Sequence, residues 1–369
     1  MKNTNQCSRS DFFKGAGVVA GAVAMTGTGA QAAEGTPRES GPELRQLGNT
    51  DLKLPVVSLG TAPAQDVNVM KFAIAQGMTF IHTSTSYKQG KAIKNVAEAI
   101  KGQRDKVIIG LKITWEPDDD NAMDAALETL GVDSVDIAFF NIHKADKVRN
   151  PKYRLGAERW KKAGKFRYIG LTSHKETAAC LTAALDEGFY DVLMPSYALN
   201  MEEEFLPIFE RAHKEGVGVV LMKTNRGLNG AYEDSVPHYL GTTGITTINK
   251  GAASFPEIKK LVEASKGTAN KQAGLQLRET MQVAMSGHCT MCGACEQNCP
   301  KGFQVADVVR CSDYYLENLE YVGTAFETYR GLSRAPSPSA CGSCNLCERA
   351  CRNGVPVVHH IRRAENVLA

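Results

Sequence analysis

The sequence predicts an α/β chain in two parts: a closed (β/α)8 barrel, then a smaller, mostly helical domain organised around cysteines. Three observations carry this. From about residue 44 to residue 268, eight short apolar runs alternate with amphipathic stretches of about ten to fifteen residues. The runs are rich in Val and Ile and apolar at successive positions, so both faces of each strand are covered, which favours a closed parallel barrel over an open sheet. After residue 269 the alternation stops and cysteines cluster.

The strand candidates are Val56–Gly60, Thr79–His82, Val107–Lys112, Val135–Ile142, Arg167–Leu171, Asp191–Pro195, Gly218–Lys223 and Ile245–Asn249. Between them, Lys91–Gly102, Asn121–Leu130, Glu176–Glu187, Glu202–Glu215 and Pro256–Ala264 repeat Ala, Leu and Ile at three and four residues, the spacing of a helix laid on a sheet. No G-x-G-x-x-G follows the first strand, which argues against a dinucleotide-binding open sheet. Chemistry in such a barrel gathers at the C-terminal strand ends. Those ends carry His82 and Tyr87, Lys112, Asn141 and His143, Thr172 and Ser173, Tyr197, Lys223, and Lys250.

At 369 residues the chain has room for two domains, and its 43% hydrophobic content supports a large core. A net charge of +3, with no basic run interleaved with aromatics, argues against a nucleic-acid partner. Lys2, Arg9 and Lys14 flank or precede a weakly apolar Gly/Ala run, Gly15 to Ala30, and Ala30-Gln31-Ala32 has the small residues of a cleavage site. Residues 1–32 therefore read as an export signal and 33–43 as a linker. The run is too short and glycine-rich for a stable membrane span. An exported, periplasmic location follows, with the cytoplasm as the alternative.

Eight of the eleven cysteines form two quartets: Cys289, Cys292, Cys295, Cys299 and Cys341, Cys344, Cys347, Cys351. Each has the spacing C-x2-C-x2-C-x3-C, and Pro300 follows the first. Thiolates three residues apart on a tight loop can each reach a different corner of one 4Fe–4S cubane. The fourth cysteine, beyond the loop, suits the neighbouring cluster, as in two-cluster ferredoxins. This assigns Cys289, Cys292, Cys295 and Cys351 to one cluster, and Cys341, Cys344, Cys347 and Cys299 to a second. Structural zinc usually takes two ligand pairs across a longer loop, and cysteines this crowded cannot all find disulfide geometry. Cys7, Cys180 and Cys311 read as small apolar residues.

Particular runs resemble the aldo/keto reductases: RQLGNTDLKLPVVSLGT from Arg45 to Thr61, FIHTSTSY from Phe80 to Tyr87, and GKFRYIGLTSH from Gly164 to His174. The last, with VVLMK from Val219 to Lys223 and the stretch Val305–Tyr329, is similar to a branch with a C-terminal ferredoxin-like domain. The likeness spans residues 44–369, with the barrel over 44–268 and the iron–sulfur domain over 269–369. Ser8 to Lys14, SRSDFFK, resembles a twin-arginine export motif with Ser10 where the second arginine belongs.

The resemblance implies a TIM barrel that reduces carbonyls with NADPH through an Asp, Tyr, Lys and His tetrad. Tyr87 matches the tyrosine acid and Lys112 the lysine, but His82 stands where the aspartate belongs. The family histidine falls at Asn141, counted from Asp136, and His143 two residues on is the candidate substitute. On the cofactor side Thr172 and Ser173 stand at the carboxamide contact, Tyr197 at the ring that stacks on a nicotinamide, and Lys223 and Lys250 at the ends of the last two strands. Met194 replaces a glutamine. A tyrosine with a reference pKa of ~10 donates a proton near neutrality only when a neighbouring cation lowers it, and an aspartate normally keeps that buried cation charged. His82 brings no such charge.

Three functions follow. The first is an exported oxidoreductase whose two 4Fe–4S clusters relay electrons to or from a modified barrel site, acting on a small-molecule substrate or with a redox partner protein. The second is an electron-transfer or binding protein whose barrel is a scaffold. The third is an NADP(H)-dependent carbonyl reductase with structural clusters.

Overall fold

The computed structural model describes residues 41–64, 66–225, 228, 232–317 and 322–369. The export signal and most of the linker lie outside the described residues. Gly41–Ala369 forms one compact unit.

A hairpin of β1 (Leu44–Gln46) and β2 (Lys53–Pro55) comes first. Eight parallel strands follow: β3 (Val57–Gly60), β4 (Phe80–Ser84), β5 (Ile108–Ile113), β6 (Val135–Asn141), β7 (Phe166–Ser173), β8 (Val192–Pro195), β9 (Gly218–Met222) and β10 (Ile245–Gly251). They close in the order β10-β3-β4-β5-β6-β7-β8-β9. Every apolar run picked from the sequence is one of these strands, because burial on both faces left no polar alternation to blur the signal. Helices Lys91–Ile100, Asp120–Leu130, Thr177–Glu187, Glu202–Glu215 and Phe255–Ala264 occupy the amphipathic stretches; Val67–Ala75, Pro151–Lys162 and Tyr232–Gly241 add to the outer ring. Local chemistry sets their ends. Asp119 caps one helix by accepting from the Ala122 N–H at 2.9 Å, and Gly131 closes it in the left-handed region.

The hairpin was not legible as strands. Its Leu47, Leu52 and Leu54 are buried against Phe80, Ile137, Phe139 and Val220, and Asn49 N–H donates to Gly216 O just before β9. It therefore plugs the N-terminal end of the barrel. Inside the barrel the Phe139 ring fills the centre, where Gly110 and Gly170 leave room; a Cβ on Gly170 would lie 2.3 Å from that ring. His82 stands edge-on to Phe139 with ring centres 5.5 Å apart, as the next layer toward the C-terminal mouth.

Helix Lys271–Ala284 places Met281 in the barrel core, beyond the boundary read at residue 268. A separate core, including Val305, Val309, Ala325, Val357, Ile361 and Leu368, then forms around the cysteines. Its helix Val305–Arg310 runs directly into a π-helical turn, Cys311–Tyr315. Among the described residues no helix is long and apolar enough to cross a membrane.

Candidate functional site

The C-terminal ends of the strands converge on a cavity of about 180 Å3, lined by His82, Tyr87, Met194, Lys223, Lys250 and Tyr314, among others. Tyr314 comes from the cysteine-rich domain, whose π-helical turn closes the barrel mouth. Lys223, at the end of β9 with a left-handed φ of +59°, holds its ammonium 4.7 Å from the Tyr314 ring centre and 5.9 Å from that of Tyr315. Arg310 stacks on the other tyrosine at 4.9 Å. A barrel cation and a cap cation thus clamp Tyr315.

Lys112, on β5, is buried with its ammonium 4.6 Å from the Tyr87 ring centre. No described carboxylate pairs with it. Burial, with Arg310 adding, pulls its pKa down to about 7. Burial also holds the Tyr87 hydroxyl well above its ordinary range; Tyr315 reinforces this and Arg310 opposes it. His82, on β4, is brought to about 3 by burial and then by Lys112, so it is neutral, and its Nε2 has no hydrogen-bond partner.

His143 lies past the end of β6 and lines a neighbouring cavity of about 290 Å3 with Trp115, Asn141 and Lys175, not the cavity that holds His82 and Tyr87. Its Nδ1 accepts from the His174 N–H at 3.2 Å, and burial together with Arg310 lowers it to about 3. Asn141, at the family histidine's place, leaves Oδ1 unpartnered. Thr172 and Ser173 are fully buried at the end of β7, where Ser173 Oγ donates to Lys175 O and Thr172 Oγ1 has no partner. Tyr197 does not reach the cavity. It packs among Phe205, Phe209 and Tyr239 at ring distances of 5.4, 5.2 and 5.8 Å.

Sequence reasoning assigned no site role to Arg310, Tyr314 and Tyr315, although they lie in the stretch Val305–Tyr329 that carries a family likeness, nor to His174, which is buried at the cavity with Nδ1 unpartnered. The charge of Arg310 bears on Tyr87, Lys112, His143 and His174 alike.

The ten described cysteines form no disulfide. Burial raises the Cys295 thiol, and Cys289, Cys292 and Cys347 raise it further. Burial likewise raises Cys341 and Cys347, and both also feel Cys299. The fourth cysteine of the first run therefore keeps company with the second run. Arg352, next to Cys351, hydrogen-bonds Cys292 of the first run. Among the described residues no three His, Cys, Asp or Glu side chains converge as ligands of one ion.

Residues 52–234 match the model of the aldo/keto reductase family. No curated protein sequence matches the chain. Among solved structures, an aldo-keto reductase from Bacillus halodurans is 20% identical, aligned over 66% of this chain and 96% of its own, with a TM-score of 0.55. An aldo/keto reductase from Klebsiella pneumoniae, solved with NADP and acetate, is 19% identical over 64% and 95%, with a TM-score of 0.54. A thermostable aldo-keto reductase bound to the inhibitor epalrestat is 20% identical over 64% and 99%, with a TM-score of 0.56.

Proposed function

With its barrel a member of the aldo/keto reductase family, we propose that this chain is an exported iron–sulfur oxidoreductase with an altered barrel site. The reading rests on one observation: the barrel mouth is closed by the cysteine-rich domain of the same chain, with Tyr314 lining the cavity beside Tyr87 and His82. A redox domain placed there supports electron exchange with whatever the cavity holds.

The donor set suits two 4Fe–4S clusters. Eight thiols stand in two runs, free of disulfides, and burial followed by neighbouring thiols raises Cys295, Cys341 and Cys347, a cost that cationic metal centres offset. A cubane takes one thiolate at each iron, so its ligands surround it and do not converge on a point. Cys289, Cys292, Cys295 and Cys351 would hold one cluster, Cys341, Cys344, Cys347 and Cys299 the other. When bound, such clusters supply one-electron transfer. Export rests on the charged and weakly apolar run before residue 33.

The barrel residues supply the protons. Reducing a carbonyl to an alcohol consumes two electrons and two protons. Tyr87 is a poor acid here, since its hydroxyl is held high, whereas Lys112 near 7 is matched to neutral pH and can both give and regain a proton. Neutral His82 and His174 offer ring nitrogens that orient a bound oxygen.

The described cavity is small for a nicotinamide dinucleotide. Its volume of about 180 Å3 is below the ~300 Å3 at which ligand pockets begin, and Tyr197 presents no face to it. No step is therefore assigned to NADP(H), the cofactor of the Klebsiella pneumoniae neighbour. The scaffold reading draws on the same Tyr87 hydroxyl, which is held too high for an efficient acid.

Anaerobic purification with iron and sulfide analysis, followed by an NADPH fluorescence titration, tests the proposal. About eight irons and eight sulfides per chain, with no NADPH binding at millimolar concentration, support it. Zinc in place of iron overturns it, and tight NADPH binding favours the carbonyl-reductase alternative. A carbonyl substrate reduced by the cluster-reduced protein separates enzyme from scaffold.

A further inference from the structure

The two cysteine loops share a left-handed residue after the second cysteine but meet different surroundings. Gly293 and Asn345 each follow the second cysteine of their run, and both take a left-handed φ, +82° and +42°. At Gly293 the barrel occupies the space a side chain would need, with Glu176 Cγ 2.7 Å from where a Cβ would sit. At Asn345 the side chain is exposed. Only glycine suits the first position, because the barrel lies against it.

The other contacts agree. Met291 O accepts from the Glu176 N–H at 3.1 Å, and Glu296 takes Lys175 at 3.2 Å and Lys144 at 3.6 Å. No residue from Cys289 to Cys295 is exposed. In the second loop Gly342, Ser343, Asn345 and Leu346 are exposed, and among the described residues the hydrogen bonds and ion pairs of residues 337–348 stay within residues 301–358.

Asp313 joins the first loop to the barrel cap. Its carboxylate is almost fully buried, accepts from the Cys289 N–H at 2.9 Å and lies 2.8 Å from His288 Nδ1. The next two residues in the same π-helical turn are Tyr314 and Tyr315, which stand over the barrel mouth.

We propose that the two cysteine sites have fixed and different places: the site of Cys289, Cys292, Cys295 and Cys351 faces the barrel, with Asp313 as its positioning residue, and the site of Cys299, Cys341, Cys344 and Cys347 faces solvent and is the first reached by an external oxidant. This rests on the iron–sulfur reading above. The buried Asp313 carboxylate lies against Cys289 of the inner site, whereas Glu365 is the acid that bears on Cys341 of the outer site, so the surroundings of the two sites separate them in reduction potential.

The test is an EPR-monitored redox titration of the anaerobically purified holoprotein, wild type against Asp313→Asn and Glu176→Gln. Each change removes a negative charge beside the inner site, by independent contacts, so a folding failure of one leaves the other. One midpoint should rise while the other stays. Timed treatment with ferricyanide and EDTA should then destroy first the cluster whose midpoint did not move. The inference is overturned by equal shifts of both midpoints, by no shift in either folded variant, or by earlier loss of the shifted cluster. Failure of the iron–sulfur reading shows separately, as wild-type protein without iron and sulfide.

Discussion

Lys112 Nζ lies 4.6 Å from the centre of the Tyr87 ring and makes no hydrogen bond with its hydroxyl. The cation rests on the aromatic face, and its own charge is depressed by burial. It therefore does little to acidify the tyrosine. This pair decides how the barrel site differs from the tetrad that its sequence resembles.

Replacing Lys112 by Met should stabilise the protein in a pH-dependent way. The amine's pKa falls from 10.5 to about 7 on folding. Between those values the unfolded chain binds more protons, so wild-type stability rises with pH across the window. At ~1.4 kcal/mol per unit the burden below pH 7 reaches up to roughly 5 kcal/mol and fades toward pH 10.5. Thermal melts from pH 6 to pH 10 should show the variant's advantage largest at pH 6 and shrinking upward. Parallel curves would refute the buried, depressed amine.

His82→Asp restores a counter-charge beside Lys112. The lysine should then stay charged when folded, and the slope of stability between pH 7 and 10 should flatten. If the Lys112 site retains its wild-type profile in this variant, His82 is not what left the lysine uncompensated.

Gly170→Ala should cost about 1–3 kcal/mol in urea unfolding, because the new methyl meets the Phe139 ring at 2.3 Å. Trimming the ring with Phe139→Leu should recover part of the loss, making the double variant less unstable than the two changes added. Simple additivity would place the clash elsewhere.

Lys175 is buried between the barrel and the cysteine-rich domain, 2.7 Å from Asp307 and 3.2 Å from Glu296. Burial opposes its charge, but the two carboxylates prevail and raise its pKa. Lys175→Met leaves Asp307 without this partner and Glu296 with the more distant Lys144 at 3.6 Å, and should cost about 3–5 kcal/mol. Adding Asp307→Asn and Glu296→Gln should return much of it. Proteolysis that releases the C-terminal domain from Lys175→Met, but not from the triple variant, would locate the effect at that junction.

The linear sequence determined the eight barrel strands, because each is a short β-branched run buried on both faces, a property every residue of the run reports locally. It also carried the cysteine spacing, the tyrosine and lysine of the site, and the histidine in place of an acid. It could not reveal the hairpin plug, whose three leucines have a role only once the barrel closes above them. The tertiary structure alone brought Arg310, Tyr314 and Tyr315, more than two hundred residues from Tyr87, onto the barrel mouth. It also turned Tyr197 into an aromatic core and set His143 in a separate cavity. Burial and the summed field of distant charges decide what Lys112 and Tyr87 can do, and neither quantity exists until the chain has folded.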